Sequence, residues 1–174
     1  LSNNLIKLPV IGEHWDRFGD VFRYFLNKKT RIKVCKYVNE EINKYKEKNP
    51  ETLIDVAAHS LGTIIAMTCG TETDPLKIDN LFLCGSPLGL KNTQLRNIVD
   101  SHIDKYSYGL DCVKLYYLAN KLDFVACEFP SPKARRVFRD FSTKNYVLDM
   151  SIGKGHDFTN YVIDFFNKYR HLLN

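Results

Sequence analysis

Residues 53–67, LIDVAAHSLGTIIAM, constrain the fold of this chain more than any other stretch. The aliphatic and alanine run 53–57 has the character of a buried strand, and the apolar run from Leu61 has helical character, so Ser60 falls on the turn between them. Turning a strand into a helix around a single residue is sterically demanding, and the pattern that serves it is G-x-S-x-G. Here Ala58 and Gly62 stand two residues to either side of Ser60, where a larger side chain is expected to collide with neighbouring backbone. Ser60 alone also suits a helix N-cap. The strand before it and the apolar helix after it favour a serine presented as a nucleophile.

The rest of the chain reads as further strands and helices in alternation. Residues 5–11 (LIKLPVI) resemble a short strand that Pro9 confines to an edge or an irregular arm. Residues 16–26 carry Phe18, Val21, Phe22, Phe25 and Leu26 at near-helical spacing, facing a core. A long helix is expected from Thr30, as N-cap, to Lys48, with Val34, Val38, Ile42 and Tyr45 as its apolar stripe and Asn49-Pro50 as its stop. After the Ser60 turn, the helix runs out near Gly70 and 71–75 form a loop. Strands follow at 78–84, 113–119 and 146–150, with a short helix at 92–99, a loop or irregular insertion at 100–111 and a closing helix at 158–173. This pattern predicts a single α/β domain over 1–174, a mostly parallel sheet flanked by helices, with chemistry at the carboxyl ends of the strands.

Composition narrows the setting. With 174 residues and 44% hydrophobic content the chain can bury one substantial core. The net charge of +5 arises mainly from lysines spread over helix surfaces, so nucleic acid is an unlikely partner. Five cysteines without CxxC spacing read as small buried hydrophobes and point to a cytoplasmic setting. No apolar run is long enough to span a membrane, and the start lacks the regions of a signal peptide. A chain beginning with leucine is what a fragment or a processed product would show.

A serine nucleophile needs a base, and the base needs an acid to hold its tautomer. Downstream of Ser60 lie His102, His156 and His171. His156 follows the last strand in the glycine-containing loop SIGKGHDF and opens into the closing helix, so it is the candidate base. Upstream, His59 neighbours Ser60 but is expected to point away, packing or bonding to backbone. Asp123, in the loop after the strand 113–119, is the candidate acid; Asp149, inside the last strand, and Asp157, beside His156, are its rivals. Asp157 is better suited to the start of the closing helix. The order Ser60, Asp123, His156 puts the acid before the histidine.

The segments GDVFRY (19–24), AHSLGT (57–63 less its first alanine), LFLCGSPLGL (81–90), NKLDFVA (120–126) and GHDFTNY (155–161) together resemble the lipase- and esterase-type α/β-hydrolases. The resemblance implies that Ser60, Asp123 and His156 form a catalytic triad, that the Leu61 N–H is one oxyanion donor, and that the substrate is a carboxylic ester or related acyl compound. It implies no metal and no cofactor. One departure stands out. Such hydrolases carry a further strand and a glycine-containing loop upstream, which supply the second oxyanion N–H, and here only about fifty residues precede the strand at 53–57. The expectation is therefore that the arm 5–12 folds beside that strand, covers its open edge and brings the N–H of Gly12 or Glu13 near Ser60. The basic stretch Lys133, Arg135, Arg136 and Arg139 is expected near the mouth of the site, where it can draw anionic substrates. The alternative is a weakly active or inactive hydrolase scaffold serving as an interaction module, with that basic stretch binding an anionic partner.

Overall fold

The computed structural model describes residues 19, 23–72, 76–90, 93–106, 110–120, 123, 125–126, 142–148, 156–159, 161, 163 and 167. Helix α1 (Lys28–Lys48) begins where Asn27, in extended conformation, accepts a hydrogen bond from the Thr30 N–H at 3.1 Å. Asn27 is thus the cap, and Thr30 is already inside the helix. The far end is closed by Asn49, whose N–H donates to the Tyr45 and Lys46 carbonyls, with Lys46 and Lys48 set favourably against the helix dipole.

The buried line of α1 is Arg31, Cys35 and Asn39. Val34, Val38 and Ile42 pack half-buried beside it, and Tyr45 is exposed. The helix is rotated from the purely apolar expectation because two of its buried residues are polar and satisfied. Arg31 donates to the Phe25 carbonyl at 2.9 Å, covering the end of the helical residues 23–26, and an interaction of its own accompanies buried Asn39. In that first segment Tyr24 and Phe25 are buried and Leu26 is 81% exposed, so Leu26 does not face the core.

Among the described residues four strands form one sheet: β1 (Asp55–His59), β2 (Leu76–Cys84), β3 (Leu110–Asn120) and β4 (Ser142–Leu148). They lie in the order β1-β2-β3-β4, and every neighbouring pair is parallel. The mostly parallel α/β expectation therefore holds. Helix α2 (Leu61–Glu72) connects β1 to β2, and α3 (Thr93–Tyr106) lies between β2 and β3 in the chain. Helix α2 packs against α1, α3 and strands β1, β2 and β3, so the three helices form a layer centred on it. Ile64, Met67 and Cys69 of α2 are fully buried with Leu81 and Leu83 of β2, Leu115 and Tyr117 of β3 and Ile103 of α3. Each large aliphatic side chain so enclosed contributes roughly 1.5–3 kcal/mol. Alternate residues of β2 and β3 are buried as well. Phe82 and Tyr116 stack at 4.5 Å between ring centroids.

Several boundaries differ from the sequence expectation, each for a local reason. Strand β1 covers 55–59, leaving Leu53 exposed and taking in His59. Residues 100–106, expected in a loop, continue helix α3 to Tyr106, and β3 starts at Leu110. Val99 and Ile103 make the inward line there, but Asp100 and His102 are also buried, which hides the periodicity. Strand β4 covers 142–148, upstream of the expected 146–150, because its polar first half pairs in register with β3 from Lys114↔Ser142 onward.

Among the described residues β1 has one strand neighbour, and Asp55 and Ala57 are exposed. Asp55 accepts a hydrogen bond from Asn80 on β2 at 2.6 Å. The arm 5–12, the basic residues Lys133, Arg135, Arg136 and Arg139, and His171 lie outside the described residues. Cys35, Cys69, Cys84 and Cys112 are buried thiols, and burial pushes the last three up to about 12. Among the described residues no helix is long and apolar enough to cross a membrane.

Candidate active site

The site is built from the carboxyl ends of three adjacent strands and the segment that follows β4. Ser60 comes directly after β1 and has φ +52°, the left-handed region that a residue with a side chain adopts only under constraint. Bonds on both sides hold it there. Its N–H donates to the Cys84 carbonyl of β2 at 3.0 Å, and its carbonyl accepts from the Thr63 N–H at 3.1 Å and the Thr63 hydroxyl at 2.7 Å. Thr63 is tied in turn to Ser86 at 2.8 Å. The strand is thereby bent into α2 within one residue, and the Ser60 side chain stands at the turn.

The expected steric need at Gly62 is absent: a Cβ built there meets nothing within 4 Å. By Gly62 the chain is already helical, so its side-chain direction points into open space. The crowding is at Gly85 instead. That residue ends β2 with φ +60°, and a Cβ there would lie 3.1 Å from His59 Nε2, 3.2 Å from Asp123 Oδ2 and 3.2 Å from His156 Cε1.

The sheet order explains why. Ser60 is at the end of β1 and Asp123 follows the end of β3, so two strand spacings, about 9.6 Å, separate the chains that carry them. An imidazole between them must lie over the end of the middle strand. A glycine there leaves it the most room, since a Cβ would press on the neighbouring side chains and is disfavoured at that φ, and the left-handed turn removes β2 from its path.

Asp123 is held by a small closed loop. Its N–H donates to the Asn120 carbonyl at 2.9 Å, and Asn120 N–H donates to the Ala126 carbonyl at 3.1 Å. The carboxylate is wholly buried and, among the described residues, accepts three hydrogen bonds: Val125 N–H to Oδ1 at 2.7 Å, and His156 Nδ1 and the Tyr161 hydroxyl to Oδ2 at 2.8 and 2.6 Å. His156 Nε2 then lies 3.0 Å from Ser60 Oγ. With Nδ1 donating to Asp123, Nε2 carries the lone pair that can accept the serine proton. The His156 side chain keeps 16% exposure while Asp123 has none, so the series of hydrogen bonds runs from the interior to an accessible end.

The rival residues take other places. Asp157 is exposed, and its Oδ1 accepts from the Thr159 N–H at 2.8 Å, capping the helical residues that follow. Asp149 and His14 lie outside the described residues. His102 packs in the helix layer against Tyr24 and Phe25. His59 does not leave the site: its ring sits 4.6 Å from that of His156. Burial, and then the neighbouring His156, hold His59 down to about 4, so it is a neutral ring against the His156 imidazole. Leu61 is the first residue of α2, directly after Ser60, and Gly12 lies outside the described residues.

Two residues of this cluster escape sequence reasoning, Gly85 and Tyr161. The signal for Gly85 is a glycine at the end of a buried strand; for Tyr161 nothing separates it from the other aromatics of its segment. Among the described residues no group of three or more His, Cys, Asp or Glu side chains is arranged to hold a metal ion. In comparisons with known proteins, no family model matches this chain and no curated protein is significantly similar to it in sequence.

Proposed function

We propose that this chain is a serine hydrolase of the α/β-hydrolase type that cleaves a carboxylic ester or related acyl substrate. The observation that carries the reading is the continuous hydrogen-bonded series Ser60 Oγ, His156, Asp123 at 3.0 and 2.8 Å, on a serine held at φ +52° between a parallel strand and a helix. A helix cap needs neither a histidine at its hydroxyl nor a buried carboxylate behind that histidine.

In this reading Ser60 Oγ attacks the acyl carbonyl as its proton passes to His156 Nε2. Asp123 holds the imidazole in the required tautomer and stabilises the imidazolium that forms. The proton then goes to the leaving alkoxide, which departs as the alcohol and leaves the acyl group on Ser60. Water, deprotonated by His156, attacks the acyl-enzyme, and collapse of that intermediate returns the proton to Ser60 and releases the acid. The Leu61 N–H, at the start of α2, is the proposed oxyanion donor, since first-turn N–H groups lack partners within their helix. Gly12 or Glu13 is the proposed second.

Labelling with a fluorophosphonate, followed by mass-spectrometric mapping of the modified residue, tests the reading, because the reagent requires an activated serine. Modification at Ser60 that disappears in His156→Ala supports it. A folded chain that resists the reagent sinks it, in favour of the inactive scaffold.

A further inference from the structure

We propose that Tyr161 is a positioning residue of this site, one that shares Asp123 Oδ2 with His156 and thereby sets how tightly His156 holds its proton. The consequence for turnover rests on the hydrolase reading; the effect on His156 does not. Tyr161 is fully buried, and its hydroxyl donates to Oδ2 at 2.6 Å, a shorter bond than those the carboxylate accepts from His156 at 2.8 Å and Val125 at 2.7 Å. Its ring lies 6.0 Å from that of His59, centroid to centroid. Burial, reinforced by the bond to Asp123, raises its own titration far above the ordinary range, so the hydroxyl stays a donor at every working pH.

The chain between the two residues is short. His156 is followed by Asp157, whose side chain receives Thr159 N–H and whose carbonyl receives Tyr161 N–H at 3.3 Å. One helical turn thus delivers both the imidazole and the phenol to the same carboxylate oxygen. The segment carrying the base is pinned to Asp123 at two points.

A donor on a carboxylate disperses its charge, leaving less for any other partner. With Tyr161 in place, Asp123 stabilises the His156 imidazolium less than an unshared carboxylate would, so the imidazolium gives up its proton more readily to a leaving group. Among the described residues, Ser60, which is neutral, exposed Asp157, and His59, which is neutral above about 4, also stand by His156. Neither Asp157 nor His59 is hydrogen-bonded to Tyr161's hydroxyl, so replacing that hydroxyl leaves their charges unchanged.

The test is an NMR titration of the His156 ring in the whole chain, its signal identified by its loss in His156→Ala. Tyr161→Phe keeps the ring and removes the donor, and should raise the His156 midpoint by about half a unit to one unit. Fluorotyrosine at position 161 is a stronger donor and should lower it. If Tyr161→Phe fails to fold, the fluorotyrosine protein decides alone. In ester hydrolysis the acid limb of kcat/KM should move in the same direction as each midpoint. Unchanged midpoints, or shifts of the same sign for both replacements, overturn the proposal, since a residue that only packs has no reason to move them in opposite directions. Failure of the hydrolase reading looks different: opposed shifts in His156 together with no labelling of Ser60 in the unaltered chain.

Discussion

Tyr24 and Tyr161 are both buried tyrosines that donate within the protein, but the networks they join end in different places. Thr68 donates to the Ile64 carbonyl at 2.7 Å, so Tyr24 is the donor in its 2.9 Å bond to Thr68, and Cys35 lies 3.5 Å away. With Arg31 on the Phe25 carbonyl, this network fastens the helical residues 23–26 to α1 and α2 and stays inside the helix layer. The Tyr161 network runs through Asp123 and His156 to Ser60 Oγ, where the imidazole is partly exposed. Buried polar groups are alike in needing partners. What separates the two is whether the last atom of the chain is a group that can react and that a substrate can reach.

The contrast breaks most directly at its reactive end. Ser60→Ala or His156→Ala should reduce ester turnover on the order of 10⁴-fold or more while thermal unfolding stays close to that of the unaltered protein. If Ser60→Ala instead costs about 1 kcal/mol of stability with turnover retained, Ser60 is a structural cap and both networks are scaffolding.

A pair of glycine substitutions sharpens the comparison next. Gly85→Ala places a methyl against His59, Asp123 and His156 in a backbone conformation that disfavours it, and should lower turnover about 100-fold by displacing the imidazole. Gly62→Ala should leave turnover alone and stabilise α2 by up to about 1 kcal/mol, because it meets open space in a helix. Equal effects on turnover would show that crowding at the end of β2 does not position the base.

Removing the other phenol tests the structural network. Tyr24→Phe should cost about 1 kcal/mol in denaturant unfolding and leave both turnover and the His156 midpoint unchanged. A shifted midpoint would join the two networks that the contrast separates.

The smallest expected effect is in the acid limb of stability. Burial holds His59 and His102 down to about 4, below the ordinary 6.5, so the unfolded chain takes up protons first. The stability that these neutral rings contribute is present above about 6.5 and is lost as the pH falls toward 4. His102→Gln should flatten that loss without altering turnover, whereas His59→Gln should flatten it and also disturb the ring against His156. Chemical unfolding across that pH range, with turnover measured alongside, checks both.

Residue types and their order along this chain determine the alternation of strands and helices, because a buried parallel strand and a core-facing helix each need a contiguous apolar pattern. They also nominate Ser60, Asp123 and His156 separately, each beside a strand end. Asp100, His102, Arg31 and Asn39 show where that reading stops: they are polar yet buried, and a pattern of apolar spacing has no means of seeing partners that arrive from elsewhere in the chain. The same holds at the site. That Asp123 is the carboxylate meeting His156, that a side chain would be crowded at Gly85 and not at Gly62, and that Tyr161 shares the carboxylate with the imidazole follow only from β2 lying between β1 and β3. Contacts between residues 96 or 33 positions apart are set by the order of strands in the sheet, and that order is decided by packing the helix layer against it.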